Sequence, residues 1–112
     1  MSGDIRRGAE IKFAVIAAAS SGDNTVVAAV TGKRIHVLSY VIVAAAAVSV
    51  KWKSGASVDE SGVMALAANG GVVVPAIAPG QGEWLVTDPG QALVLNLSGA
   101  ISVGGHISYF EE

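Results

Sequence analysis

The chain has 112 residues and a mass of 11.2 kDa, the size of one ordinary domain. Apolar residues make up 52% and Asp, Glu, Lys and Arg only 14%, against the roughly 25% charged residues of typical soluble domains, which excludes a disordered chain. A net charge of −2 gives no electrostatic footprint for nucleic acid or anionic lipid, and the lack of cysteine excludes disulfides, thiolate metal sites and a cysteine nucleophile.

Residues 1–10, with Asp4, Arg6, Arg7 and Glu10, are polar and glycine-containing and are expected to form a flexible arm ahead of a single domain over 11–112. They hold no apolar run before a cleavage site, so export by the general route is not expected. Ile11, Phe13 and Val15 then alternate with Glu10, Lys12 and Ala14, as a half-buried strand requires. Ser20, Ser21, Gly22, Asp23 and Asn24 read as a turn, followed by a β-branched run over 25–30.

After a turn at Thr31, Gly32 and Lys33, residues 34–43 form a strand with both faces apolar. Ile35, Val37, Val41 and Val43 fall on one side, Leu38, Tyr40 and Ile42 on the other. Such a strand is expected to be covered twice, once by its own core and once by a neighbour. The apolar stretch 37–50 is too short to cross a bilayer, which takes about 20 residues. Its four alanines, Ala44 to Ala47, are too few for a helix and predict a tight crossing where only small side chains fit.

Val48, Val50 and Trp52 alternate with Ser49, Lys51 and Lys53, a clean amphipathic strand. A polar loop with Asp59 and Glu60 follows. Short strands over 63–66 and 72–74 flank Asn69-Gly70, a pair that favours a type I′ hairpin. Trp84 to Thr87 is extended after a glycine-rich loop. Leu93, Leu95 and Leu97 define another strand, and residues 101–110 a last one, where Gly104-Gly105 marks a bulge or a close backbone approach. Eight to nine short strands with frequent turns and no helical stripe predict an all-β, antiparallel β-sandwich. Long cross-overs favour the jelly-roll type over an up-and-down barrel, and an immunoglobulin-like sandwich is the alternative, weakened by the lack of Cys and by Trp52 and Trp84 on separate strands.

Catalytic patterns are looked for without success. His36 and His106 have no second ligand at i±2 or i±4, and Asp59-Glu60 lies in a loop where the side chains diverge. No G-x-S-x-G elbow is present, and Gly80-Gln81-Gly82 lacks the third glycine of a dinucleotide fingerprint. The expectation is a non-enzyme with no cofactor and no metal. Trp52, in phase with Val48 and Val50, reads as core or subunit interface. Trp84, beside Glu83 after the glycine-rich loop, is the better candidate for a ligand or partner contact.

The segments Ser20-Ser21-Gly22-Asp23-Asn24-Thr25, residues 30–39 (Val-Thr-Gly-Lys-Arg-Ile-His-Val-Leu-Ser), Val50-Lys51-Trp52-Lys53-Ser54-Gly55, Leu66-Ala67-Ala68-Asn69-Gly70-Gly71 and Val103-Gly104-Gly105-His106 resemble small structural proteins of tailed-phage virions. The resemblance is one of framework over roughly residues 15–110, with departures at 44–47 and 79–84. It implies a jelly-roll decoration or cement protein of a phage capsid, a homotrimer made in the bacterial host and contacting the major capsid protein. The residues themselves lead the same way: so little charge on so small a chain implies surface covered by other copies. Leu38, Tyr40 and Ile42 are the expected oligomer interface, with neither nucleic acid nor membrane as partner. The alternative is a tail-fibre tip or lectin-like module that grips glycan through Trp84 and Glu83.

Overall fold

The computed structural model describes residues 10–76 and 82–112. The expected arm therefore lies outside the described residues except for Glu10, as do Pro79, Gly80 and Gln81 of the glycine-rich loop. Ten strands and no helix occur among the described residues: β1 Lys12–Ala18, β2 Gly22–Val27, β3 Ile35–Ala44, β4 Val48–Ser54, β5 Val58–Asp59, β6 Met64–Leu66, β7 Gly71–Val74, β8 Leu85–Val86, β9 Leu93–Leu97 and β10 Val103–Glu111. They form two antiparallel sheets packed as a β-sandwich. One has the order β1-β10-β3-β7, with β8 also on β3; the other has the order β2-β9-β4-β5, with β6 also on β4. β8 falls inside the extended stretch expected over 84–87, and the addition is the two-residue β5, within the expected polar loop.

The chain changes sheets between β1 and β2, β2 and β3, β3 and β4, β6 and β7, β8 and β9, and β9 and β10. Alternation then sends one set of side chains from every strand into the space between the layers. Ile16 and Ala18 of β1, Val103, Ile107 and Tyr109 of β10, and Ile42 and Ala44 of β3 meet Val48, Val50 and Trp52 of β4 and the three leucines of β9. Trp52 is fully buried, and the Tyr40 ring packs edge-on to it at 5.1 Å and 66°. This pair joins β3 of one sheet to β4 of the other, a geometry worth about 0.5–1.5 kcal/mol beyond its burial. The alanines after β3 behave as their size demands: Ala44 is wholly buried, and residues 45–47 bend the chain from one sheet to the other.

β3 departs from simple alternation. Ser39 pairs with Ser108 and Val37 with Tyr109, so Leu38 is an extra residue without a partner of its own on β10. Such a bulge switches the phase of the strand. Ile35 and Val37 face the core before it, and Tyr40, Ile42 and Ala44 face the core after it. Of the expected outer row, Tyr40 and Ile42 therefore lie inside the sandwich, and Leu38 is buried at the bulge. A period of two carried through residue 38 puts them on the wrong side; Val41 and Val43 are the residues turned outward.

Three further expectations are corrected. The row Ile11, Phe13 and Val15, which a half-buried strand would turn inward, faces out, and the smaller Ala14, Ile16 and Ala18 face in. β2 begins inside the expected turn, at Gly22, because the Asn24 side chain closes the turn itself by accepting from the Ser20 N–H and donating to the Ser20 carbonyl. Asn69-Gly70 does not make a hairpin: β6 pairs with β4 and β7 with β3, in different sheets. Only Asn69 of the pair has positive φ, +61°, and the Gly70 N–H donates to the Ala67 carbonyl, a type II-like turn at a crossover.

Glycine is required where neighbours press on β3. A Cβ on Gly105 of β10 would collide with the Val41 carbonyl, and one on Gly71 of β7 with the Ile42 carbonyl. This is the close approach that Gly104-Gly105 foreshadows, and it falls on the second glycine. Gly105→Ala is expected to lower the unfolding free energy by roughly 1–3 kcal/mol in urea titration, whereas at Gly104, where the same addition meets nothing closer than 3.9 Å, alanine costs little. Ile42→Asp buries an unpaired charge and is expected to cost on the order of 4 kcal/mol or more. Loss of the cooperative thermal transition is the readout, and a folded I42D chain would contradict the inward placement.

Candidate functional site

The outer face of the first sheet is set by the same alternation that builds the core. Outward from β1 point Phe13, Val15 and Ala17; from β10, Ser108, His106 and Gly104; from β3, Ser39, Val41 and Val43; from β7, Val73 and Gly71. The pairing register arranges them in rows across the strands. Val15, His106, Val41 and Val73 form one row, and Ala17, Gly104, Val43 and Gly71 the next. Phe13 lies beside Ser108 and Ser39, whose hydroxyls are within hydrogen-bond distance. Phe13, Val15 and Val73 are 75%, 78% and 74% exposed, and Val43 is 47% exposed. Among the described residues no Asp, Glu, Lys or Arg stands in these rows, and His106 is their one ionisable group. Contiguous exposed apolar faces of this kind are uncommon on monomeric proteins. β1 is also an edge strand, with unpaired backbone groups along its free side.

The outer face of the second sheet has the opposite chemistry. Lys53 Nζ lies 3.1 Å from Asp23 across β9, and Lys51 Nζ 3.2 Å from Asp59 on β5. Asn96 of β9 donates its side-chain N–H to Asp23 at 2.7 Å. Lys53 sits opposite Val94 in the register and Asp23 opposite Asn96, so the lysine stem reaches diagonally over β9, where Val94 is buried. Asp23 is held below its usual value of 3.8, first by the Asn96 hydrogen bond, which works against desolvation, and then by Lys53. At one end of the first sheet Lys12 binds Glu111 at 2.7 Å, and this bond raises the lysine pKa.

The residues singled out from sequence are dispersed. Glu83 lies against β3 and meets His36 Nδ1 at 2.9 Å, while the His36 ring stacks on Phe110 at 4.4 Å. The Trp84 backbone N–H donates to the Val37 carbonyl and its indole N–H to the Pro75 carbonyl at 2.9 Å. Both residues thus fasten the segment before β8 to the sheet, with Trp84 46% exposed. Trp52 is core. His106 lies on the outer face of the first sheet and His36 against Glu83, in separate settings. Asp59 pairs with Lys51, while Glu60 is pushed up by burial and by Asp88, with Arg34 opposing. Among the described residues no group of three or more His, Asp or Glu could hold a metal ion.

Sequence reasoning passed over Phe13, Val15 and Val73 as surface. The available signal was the unbroken apolar run 13–18, which leaves β1 apolar on both faces, as in β3. No family model, no curated protein and no solved structure matches the chain.

The Asp23 shift has a definite sign. Its folded pKa is depressed, so its stabilisation is complete above the unfolded value and disappears as pH falls through the folded one. In urea titrations over a pH series, Asp23→Asn is expected to flatten the loss of stability below about pH 4. An acid limb as steep as that of the unaltered chain would show that the carboxylate is not held by Asn96 and Lys53.

Proposed function

We propose that the chain is a structural assembly protein, and that it belongs to the virion type its sequence segments resemble: a decoration or cement subunit of a phage capsid, acting as an oligomer against the major capsid protein. The observation that carries this reading is the contrast between the two outer faces. One is an uncharged, largely apolar plane of about a dozen residues, and the other carries paired charges and faces water. Desolvating the first costs no charge and gains apolar burial at about 25 cal/mol per Å². Desolvating the second breaks ion pairs that are worth little in water and much less than their desolvation costs.

Two further features support the reading. The strand orders β1-β10-β3-β7 and β2-β9-β4-β5, with β6 on β4 and the chain passing between sheets at each of the long cross-overs, fit a jelly roll, an architecture used in capsid shells and lectins. The chemistry a glycan platform needs at Trp84 and Glu83 is also engaged within the chain: the indole N–H is bonded to Pro75 and the carboxylate to His36.

The test uses particles purified from a lysate of the host that carries this gene. The chain is expected in them at a fixed ratio to the major capsid protein. Phe13→Asp and Val73→Asp, at positions exposed in the free chain, should leave the melting temperature within a few degrees yet reduce occupancy at least about ten-fold, a loss of about 1.4 kcal/mol or more in binding. Absence of the unaltered chain from the particles, or unchanged occupancy of both variants, would overturn the reading.

A further inference from the structure

We infer that the outer face of the first sheet pairs with the same face of a second copy through a two-fold axis lying between the row Val15, His106, Val41, Val73 and the row Ala17, Gly104, Val43, Gly71. This pairing rests on the assembly reading and specifies the contact within it.

The argument is one of shape and charge. The first row is a ridge of three valines and a histidine across four adjacent strands, and the second, two residues along each strand, is shallow except at Val43. A two-fold axis parallel to the rows and midway between them brings each strand over its own copy, running in the opposite direction. Val15 then faces Ala17 of the other copy, His106 faces Gly104, and Val73 faces Gly71; Val41 meets Val43. Three of the four ridge side chains thus find Ala or Gly opposite them, and by symmetry the fit is made twice. The space is open at Gly104, which has only one atom, the Ile16 carbonyl oxygen at 3.9 Å, near the position a side chain would take, whereas at Gly71 the Ile42 carbonyl already occupies that position. Among the described residues, no like charge opposes its copy in either row apart from what His106 can carry, and each His106 faces a glycine.

Area sets the strength. Four strands about 4.8 Å apart and the two facing rows about 6.8 Å apart cover roughly 20 by 14 Å, so two copies hide about 500–600 Å² in these rows, a weak contact beside the roughly 1,200 Å² of a stable specific one. A dissociation constant of roughly tens of micromolar is the weakest that would populate the pair at the concentration tested and at the local concentrations of an assembly.

Two measurements test the pairing. In sedimentation at about 100 µM, the unaltered chain is expected as a dimer and Ala17→Asp as a monomer with an unchanged melting temperature, while Thr25→Asp, on the other sheet, remains dimeric. The chain has no cysteine, so single replacements report registry cleanly. A mixture of V15C and A17C chains under mild oxidation should cross-link at least about ten-fold faster than either variant alone, because the two sites face each other only across the proposed axis. A monomer at that concentration, a trimer, or cross-linking no faster in the mixture would overturn it. A monomeric chain that is nevertheless found in particles would overturn the self-pairing and leave the assembly reading standing, with the face given to another protein. A dimer with the expected cross-link that is absent from particles would do the reverse.

Discussion

The geometry of the molecule depends on how β3 is held between β10 and β7. Glycines at 105 and 71 let both flanking backbones approach the carbonyls of Val41 and Ile42 more closely than any side chain would permit. On the same strand the unpaired Leu38 changes which residues face the core. Together these fix the phase of the central strand, and the phase decides that Tyr40 meets Trp52 across the layers while Val41 and Val43 are turned away. A bulge one residue earlier or later along β3 would reverse that choice for the residues between the two positions.

Much of the interior was legible in the sequence. Val48, Val50 and Trp52 on β4 alternate with Ser49, Lys51 and Lys53, and Leu93, Leu95 and Leu97 on β9 with Val94, Asn96 and Ser98. Apart from Val94, their inward direction therefore follows from period, and the alanines 44–47 at the end of β3 announced a passage with no room for larger groups. The misplaced residues share one physical cause. In β1 and β3 both sets of side chains are apolar, so alternation supplies no sign, and the direction is set by neighbours far away in sequence. For both strands that neighbour is β10, which pairs with β1 and with β3; Lys12 of β1 and Glu111 of β10 bond across 99 residues of sequence. The Asn69-Gly70 turn was misread for a related reason: its local chemistry suits a reversal, and only the partners of β6 and β7 decide whether the reversal stays within a sheet. The low charge led to the expectation of a contact surface, and two of the residues expected to form it, Tyr40 and Ile42, lie on the core side of β3.

The uneven distribution of charge follows from that architecture. With 14% of its residues charged, the chain cannot dress two broad outer faces equally. Lys51, Lys53, Asp23 and Asp59 are concentrated on one sheet, where Asn96 adds a hydrogen bond and Val94 is sheltered in their midst. Across the rows between Phe13 and Val73 the other sheet carries one histidine, two serines and a set of small or apolar residues, with the His36–Glu83 pair beyond them. Exposed ion pairs contribute little to folding. Their larger effect is to make one face costly to dry and the other cheap.

A slab with one wettable side and one oily side has a built-in sense of direction. Once the oily sides of two such slabs meet, what remains outside is hydrated and ionic, and nothing adhesive is left on the broad surfaces to recruit a third. Growth of that kind stops by itself at a closed unit. The lateral margins, β1 and β7 of one sheet and β2 and β5 of the other, are then the places from which a larger array could extend, and the Lys12–Glu111 pair puts a charged stop at the end of β1.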